Sequence, residues 1–186
     1  SNIGKSFIQA KNFLDDGKTV LFTGTSCQIE GLKLFLKKDY SNLYTQDIIC
    51  HGVPSPKVWR KYLEYQKNKY GDIKNISFRN KDHGWSLYQM KISFKSKIYC
   101  KCYKDDSFMN VFLDDLCLRD SCYNCIFKKK YRNSDITLGD FWGIDKVKNK
   151  YNDDKGVSAV IINTKKGENI FEKIKKYCNY EKVELN

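Results

Sequence analysis

Leu118-Arg119-Asp120-Ser121-Cys122-Tyr123-Asn124-Cys125 runs into Ile126-Phe127-Lys128-Lys129-Lys130-Tyr131-Arg132, and Ser134-Asp135-Ile136-Thr137-Leu138-Gly139-Asp140-Phe141-Trp142-Gly143-Ile144 follows. Three pieces stand in series: a two-cysteine knuckle, a basic hinge, and a strand ending in a Gly-Asp-aromatic-Gly turn. A Cys-x-x-Cys turn brings two thiolates to one point. That suits zinc, an iron–sulfur cluster or a redox disulfide. Further ligands must come from elsewhere in the chain.

The 186 residues suffice for a real hydrophobic core, and a single domain over 1–186 is expected. Aromatic residues make up 15%, too many for a disordered chain despite 30% charged residues. No apolar run is long enough to span a bilayer and no signal peptide is visible, so a cytoplasmic protein is expected. A helical pattern starts almost directly after Ser1-Asn2. This reads as a fragment stripped of an upstream segment, or as a start carrying a cloning remnant.

Eight cysteines in such a chain favour metal or redox use over structural disulfides. The net charge of +12 favours an acidic partner: nucleic acid, a phosphate-bearing cofactor or an acidic protein. The lysines are spread along the chain, so much of this charge also reads as solvated surface.

Periodicity predicts a helix over 3–16 with Phe7, Ala10, Phe13 and Leu14 on one face, stopped by Gly17. A buried strand is expected over 19–23 and a helix over 27–37, with Ile29, Leu32, Leu34, Phe35 and Leu36 as its apolar side. Cys27 then sits at a helix N-terminus, where dipole and free amides favour a thiolate or a phosphate. A second strand, 43–49, ends in Cys50-His51-Gly52. Ser55 caps a helix to residue 70 with Pro56 in its first position. Alternation predicts β-structure over 73–103 with a hairpin at Lys95-Ser96-Lys97. Cys100 and Cys102 are expected there on opposite faces, as small residues and not as joint ligands. A helix from 106 or 107 to 116, strands over 135–140 and 157–163, and a helix over 165–177 complete an α/β domain with a mixed sheet flanked by helices.

Four cysteines fall in turns where thiolates can converge: Cys27, Cys50, Cys122 and Cys125. An iron–sulfur cluster takes four thiolates, and structural zinc takes the same set. The plainer reading makes Cys27 and Cys50 small buried residues. Spacing leaves these open.

Several ordered motifs resemble one known family. Gly24-Thr25-Ser26-Cys27-Gln28 is similar to its Gly-Thr-Pro-Cys-Gln motif. Asp47-Ile48-Ile49-Cys50-His51-Gly52-Val53-Pro54-Ser55-Pro56, then Phe78-Arg79-Asn80-Lys81 with Gly84-Trp85, are similar to two more, and 118–144 to the most specific. Together they resemble the C-terminal domain of the beta subunit of coenzyme F420 hydrogenase/dehydrogenase, over nearly the whole chain. The resemblance implies an FAD-bearing iron–sulfur oxidoreductase that passes electrons between an iron–sulfur chain and flavin. Archaeal members reduce a deazaflavin, and plant and cyanobacterial relatives act on chlorophyll derivatives. It implies a 4Fe–4S cluster on Cys27, Cys50, Cys122 and Cys125.

Flavin contacts are expected from the Gly24 and Thr25 amides and from Lys128, Lys129 and Arg132 toward phosphate. His51, Asp140 and Trp142 are expected toward the isoalloxazine ring. Each has a plainer role as turn, solvated charge, cap or packing residue. The expected partners are an acidic ferredoxin or ferredoxin-like domain and a small-molecule substrate, with no membrane. Two other readings stand beside this one: a four-cysteine zinc module gripping nucleic acid, and a non-catalytic subunit that docks a partner. Most aromatics fall at core spacing, which makes nucleic acid the weaker partner. Three departures mark the chain. Ser26 replaces the family's proline, Asp120 stands where a proline is common, and the family's upstream ferredoxin-like cysteines are missing.

Overall fold

The structure is a computed structural model and describes residues 3–129 and 132–183, so Lys130 and Tyr131 of the basic hinge lie outside the described residues. The elements begin α1 (Ser6–Asp15), β1 (Val20–Thr25), α2 (Ser26–Leu36), β2 (Leu43–Ile48) and α3 (Pro56–Tyr70). Then come β3 (Ile73–Asn80), β4 (Gln89–Phe94), β5 (Ile98–Cys102), α4 (Ser107–Leu113) and the single turn α5 (Asp120–Tyr123). The chain ends with β6 (Ile136–Asp140), α6 (Ile144–Lys148), β7 (Ser158–Ile162) and α7 (Lys165–Ile174). The mixed α/β class is as expected. Contacts divide the chain into two units interleaved in sequence. The first comprises residues up to Cys50, Ile126–Asp140 and the stretch from Ser158 on; the second comprises His51–Cys125 and Phe141–Val157.

The first unit holds a mixed sheet in the order β1-β2-β6-β7. β1, β2 and β6 are parallel, and β7 runs antiparallel to β6. The β1–β2 pair is parallel because α2 supplies the crossover that such pairs need. Ile29, Leu32 and Leu36 of α2 are buried at helical spacing. Leu32 and Leu36 pack with Ala10, Leu14 and Leu43 into one core. Leu34, expected on that face, is 74% exposed. Five residues after Ile29, it points away from the stripe. Phe13 is also exposed. After β7, α7 approaches β6 so closely that a Cβ on Gly167 would overlap the carbonyl oxygen of Asp135.

The second unit is built on an antiparallel sheet in the order β3-β4-β5. The alternation of β4 puts Met90, Ile92 and Phe94 inward, against Tyr62 of α3 and Phe108 and Met109 of α4. Buried Asp106 caps α4 through Met109 N at 2.9 Å and accepts the hydroxyls of Tyr62 at 2.7 Å and Tyr99 at 2.8 Å. Two expectations are corrected here. The helix expected to reach residue 116 ends at Leu113, because Asp115 turns left-handed with φ of 60° and sends Leu116 into solvent. Cys100 and Cys102, two apart on one strand, lie on the same side of β5, not on opposite sides. Among the described residues no helix is long and apolar enough to cross a membrane.

The Gly167 contact is directly testable. Gly167→Ala must push α7 off β6, and a loss of about 1–3 kcal/mol is expected. Urea unfolding measures it; an unchanged midpoint would show that α7 is free to shift.

Candidate functional site

Parallel strands share one carboxyl edge, which is where open α/β sheets bind ligands. β1 ends at Gly24-Thr25, and α2 starts at once, with exposed Cys27 in its first turn. β2 ends at Ile48, and half-buried Cys50 follows. The final rung of the pair joins Thr25 to Ile48, so both cysteines lie two residues past it. Neighbouring strands run about 4.7–4.9 Å apart, so the two cysteine-bearing segments leave the sheet from adjacent strand ends. Ile49 N donates to Leu138 O at 2.8 Å, which holds the approach to Cys50 against β6. Exposed Asp140 closes β6 on the same edge.

Of the amides expected to meet phosphate, that of Thr25 donates to Gln28 Oε1 at 2.9 Å. Gln28 thus closes the helix start in the manner of a capping box. Thr25 Oγ1 lies 3.1 Å from Cys27 Sγ.

Beneath this edge lies a polar network that the sequence reading missed. Asp47 has a side chain only 1% exposed, and Arg132 one 11% exposed. Arg132 Nη1 donates to Asp47 Oδ2 at 3.1 Å, to Ser26 Oγ at 2.5 Å and to the Ile48 carbonyl at 3.2 Å. Ser26 Oγ in turn donates to Asp47 Oδ2 at 2.6 Å. The other carboxylate oxygen accepts Ser134 Oγ at 2.9 Å and Thr137 Oγ1 at 2.5 Å. Burial alone would push the Asp47 carboxyl up. The hydrogen bonds from Ser26, Thr137, Ser134 and Arg132 outweigh it and hold the group below its ordinary value. A cavity of about 190 Å³ opens beside the network, lined in part by Ser26, Glu30, Asp47, Lys129 and Arg132. Lys128 and Lys129 are exposed.

In the second unit the segment after Cys50 pairs with the segment before the knuckle. Ser55 N donates to Cys117 O at 2.6 Å and Arg119 N to Val53 O at 2.9 Å. Gly52, at φ of 154°, leaves no room for a side chain: a Cβ would sit 2.8 Å from Leu118 Cδ1. His51 Nε2 lies 3.0 Å from both Phe112 O and Asp115 Oδ1. Both are acceptors, so this nitrogen carries the proton. Cys122 stands in α5, its amide donating to Arg119 O at 2.8 Å, and Cys125 follows. Trp142 stacks on Trp85 with centroids 4.2 Å apart, and Arg79 Cζ lies 5.7 Å from the Trp142 ring. Residues of separate sequence motifs thus meet in one aromatic stack.

Gly24, Thr25, Cys27, Cys50, Lys128, Lys129, Arg132 and Asp140 therefore belong to the first unit, and His51, Cys122, Cys125 and Trp142 to the second. Among the described residues no group of three or more His, Cys, Asp or Glu side chains is placed to hold a metal ion. The donor chemistry still suits an iron–sulfur cluster. Cys27, Cys50, Cys122 and Cys125 form no disulfide, and none is fully buried. Cys117, by contrast, is buried, and burial pushes its thiol up, away from the thiolate that ligates.

Thiols at a strand edge and in a Cys-x-x-Cys turn of a mixed α/β chain suit a redox centre or a structural metal. The chain belongs to the family described as the C terminus of the beta subunit of coenzyme F420 hydrogenase/dehydrogenase, whose model matches residues 17–186. No curated protein matches the chain.

Asp47 sets an acid response. With its folded value depressed, the stabilisation is complete above the ordinary carboxylate value and is lost as pH falls through that value toward the folded one. Asp47→Asn is expected to cost about 3–5 kcal/mol at neutral pH by leaving Arg132 unpaired. It should also flatten the loss of stability below about pH 4. Urea unfolding across a pH series checks both; a variant as acid-sensitive as the parent would place that sensitivity elsewhere.

Proposed function

We propose that the chain is an iron–sulfur oxidoreductase domain, with Cys27, Cys50, Cys122 and Cys125 as the ligands of a 4Fe–4S cluster. It serves electron transfer between a ferredoxin-type donor and a small-molecule substrate by way of FAD. One observation carries the reading: Cys27 and Cys50, neither in a disulfide, each follow by two residues the last paired residues of β1 and β2 at the carboxyl edge of the sheet. The Cys-x-x-Cys knuckle supplies two more of the same chemistry, and family membership supplies the redox setting. A thiolate-held cluster provides one-electron transfer at a potential tuned by hydrogen bonds and burial.

The protein's own role is to present the thiols and shape what surrounds them. The Thr25 hydroxyl beside Cys27 Sγ is one such neighbour. The net charge of +12 would steer an acidic donor toward the surface. The cavity of about 190 Å³ beside Arg132 is too small for an isoalloxazine ring, since ligand pockets start at roughly 300 Å³. FAD does not fit there. It enters this reading through the family likeness, with Gly24, Thr25, His51, Lys128, Lys129, Arg132, Asp140 and Trp142 as its proposed neighbours.

Anaerobic purification followed by iron, sulfide, zinc and flavin analysis tests the proposal. About four iron and four sulfide per chain are expected, with loss of both in Cys27→Ser and Cys122→Ser and retention in Cys178→Ser. Zinc without sulfide would sink the redox reading in favour of a structural zinc site of four cysteines. Iron and sulfide without FAD would remove the flavin step alone.

A further inference from the structure

The ion pair under the cysteine-bearing edge ties together the two chain segments that carry Cys27 and Cys50. One nitrogen, Arg132 Nη1, bonds Ser26 Oγ, Asp47 Oδ2 and Ile48 O. Ser26 immediately precedes Cys27. Ile48 stands two residues before Cys50. We propose that Arg132 and Asp47, with the Ser26 hydroxyl between them, are positioning residues that fix how closely Cys27 and Cys50 approach each other. The inference rests on reading those cysteines as paired ligands of one group.

Three features make the arrangement a clamp and not an incidental contact. First, the pair is buried, so opening it would strand a carboxylate that is 1% exposed. Second, the clamp is anchored to the sheet. Asp47 Oδ1 is held by Ser134 and Thr137, and Asn163 Nδ2 donates to both of these, at 3.1 and 2.9 Å. The carboxylate is therefore fixed to β6 and to the end of β7 before it meets Arg132. Third, a single nitrogen, Nη1, makes all of these bonds, so its contacts with α2 and with β2 cannot move independently. Displacing either thiol along the edge requires breaking charge-assisted bonds. Ser26 adds something particular to this chain. A proline, as in the resembling motif, would fit the first helical position equally well. It has no hydroxyl with which to donate to Asp47 and accept from Arg132.

The test reads the thiols without any cluster. Metal-free, reduced full-length chain is treated with dibromobimane, a short reagent that alkylates two nearby thiols, and the bridged Cys27–Cys50 peptide is quantified over time by mass spectrometry. The parent is expected to form it. Arg132→Gln and Asp47→Asn are expected to slow its formation about tenfold or more, the lower bound typical for groups that orient metal ligands. Arg132→Lys should recover only some of the rate, because lysine is a point charge on a flexible stem. Tyr62→Phe, which loses a buried hydrogen bond in the other unit, should bridge at the parental rate and so controls for general destabilisation. If Arg132→Gln fails to fold, Ser26→Ala is decisive; it removes only the shared hydroxyl and should slow bridging severalfold. Parental rates in folded Arg132→Gln, or in Ser26→Ala, overturn the positioning role, as does a parent that forms no bridge. Iron and sulfide analysis of the anaerobic parent separates the two claims. Slowed bridging with no cluster keeps the clamp and sinks the redox reading, and a cluster with unaltered bridging does the reverse.

Discussion

A carboxylate sealed from water demands company, and the first unit is arranged to provide it. Asp47 faces the sheet interior in a strand whose inward positions are Leu43, Thr45 and Asp47, so two of three are polar. Burying such groups without partners would cost several kcal/mol. Immediately before the neighbouring strand β6, Asp135 has a matching role. Its Oδ2 accepts both the amide and the hydroxyl of Thr45, at 2.7 and 2.9 Å, and its Oδ1 accepts Thr164 Oγ1 at 2.6 Å. The two carboxylates cross-tie β2, β6 and the start of α7. They also fix register. Asp47 is opposite Thr137, and a one-residue slip would turn every one of these partners to the other face.

Much of the scaffold was legible from pattern. Pro56 after Ser55 marks the start of α3, and the alternation of Met90, Ile92 and Phe94 marks β4. Both are local signals. The network under the thiols was not legible, because its members are far apart in sequence: Arg132 and Asp47 are separated by 85 residues. Asp47 read only as a member of a motif, and Arg132 as a basic-hinge cation expected toward a phosphate. Nor does alternation say which strands pair, so the division of strands between two sheets had no signal. The end of α4 was hidden for another reason. Leu116 continues the apolar spacing, but the left-handed turn at Asp115 overrides it.

The motifs of the second unit teach a related lesson. Trp85, Trp142 and Arg79 come from two of the resembling motifs, and in the structure they serve one another first. An aromatic stack of this kind contributes about 0.5–1.5 kcal/mol beyond burial. His51 likewise uses one ring nitrogen on a backbone carbonyl and on Asp115. Residues singled out for chemistry thus have structural duties that fix their orientation. In this family member the frame around the thiols is what geometry describes best.

The interleaving of the units bears on how the chain is born. Thr45 and Asp135, which join β2 to β6, are 90 residues apart, so a nascent chain displays one bare border of β2 until that distance has left the ribosome. At typical synthesis rates this lasts on the order of 5–20 s. The stretch made meanwhile includes β3, β4 and β5, whose antiparallel neighbours are sequential and zip locally. Of the three parallel strands β6 is therefore synthesised last, and the strand edge bearing Cys27 and Cys50 gains its third strand only then.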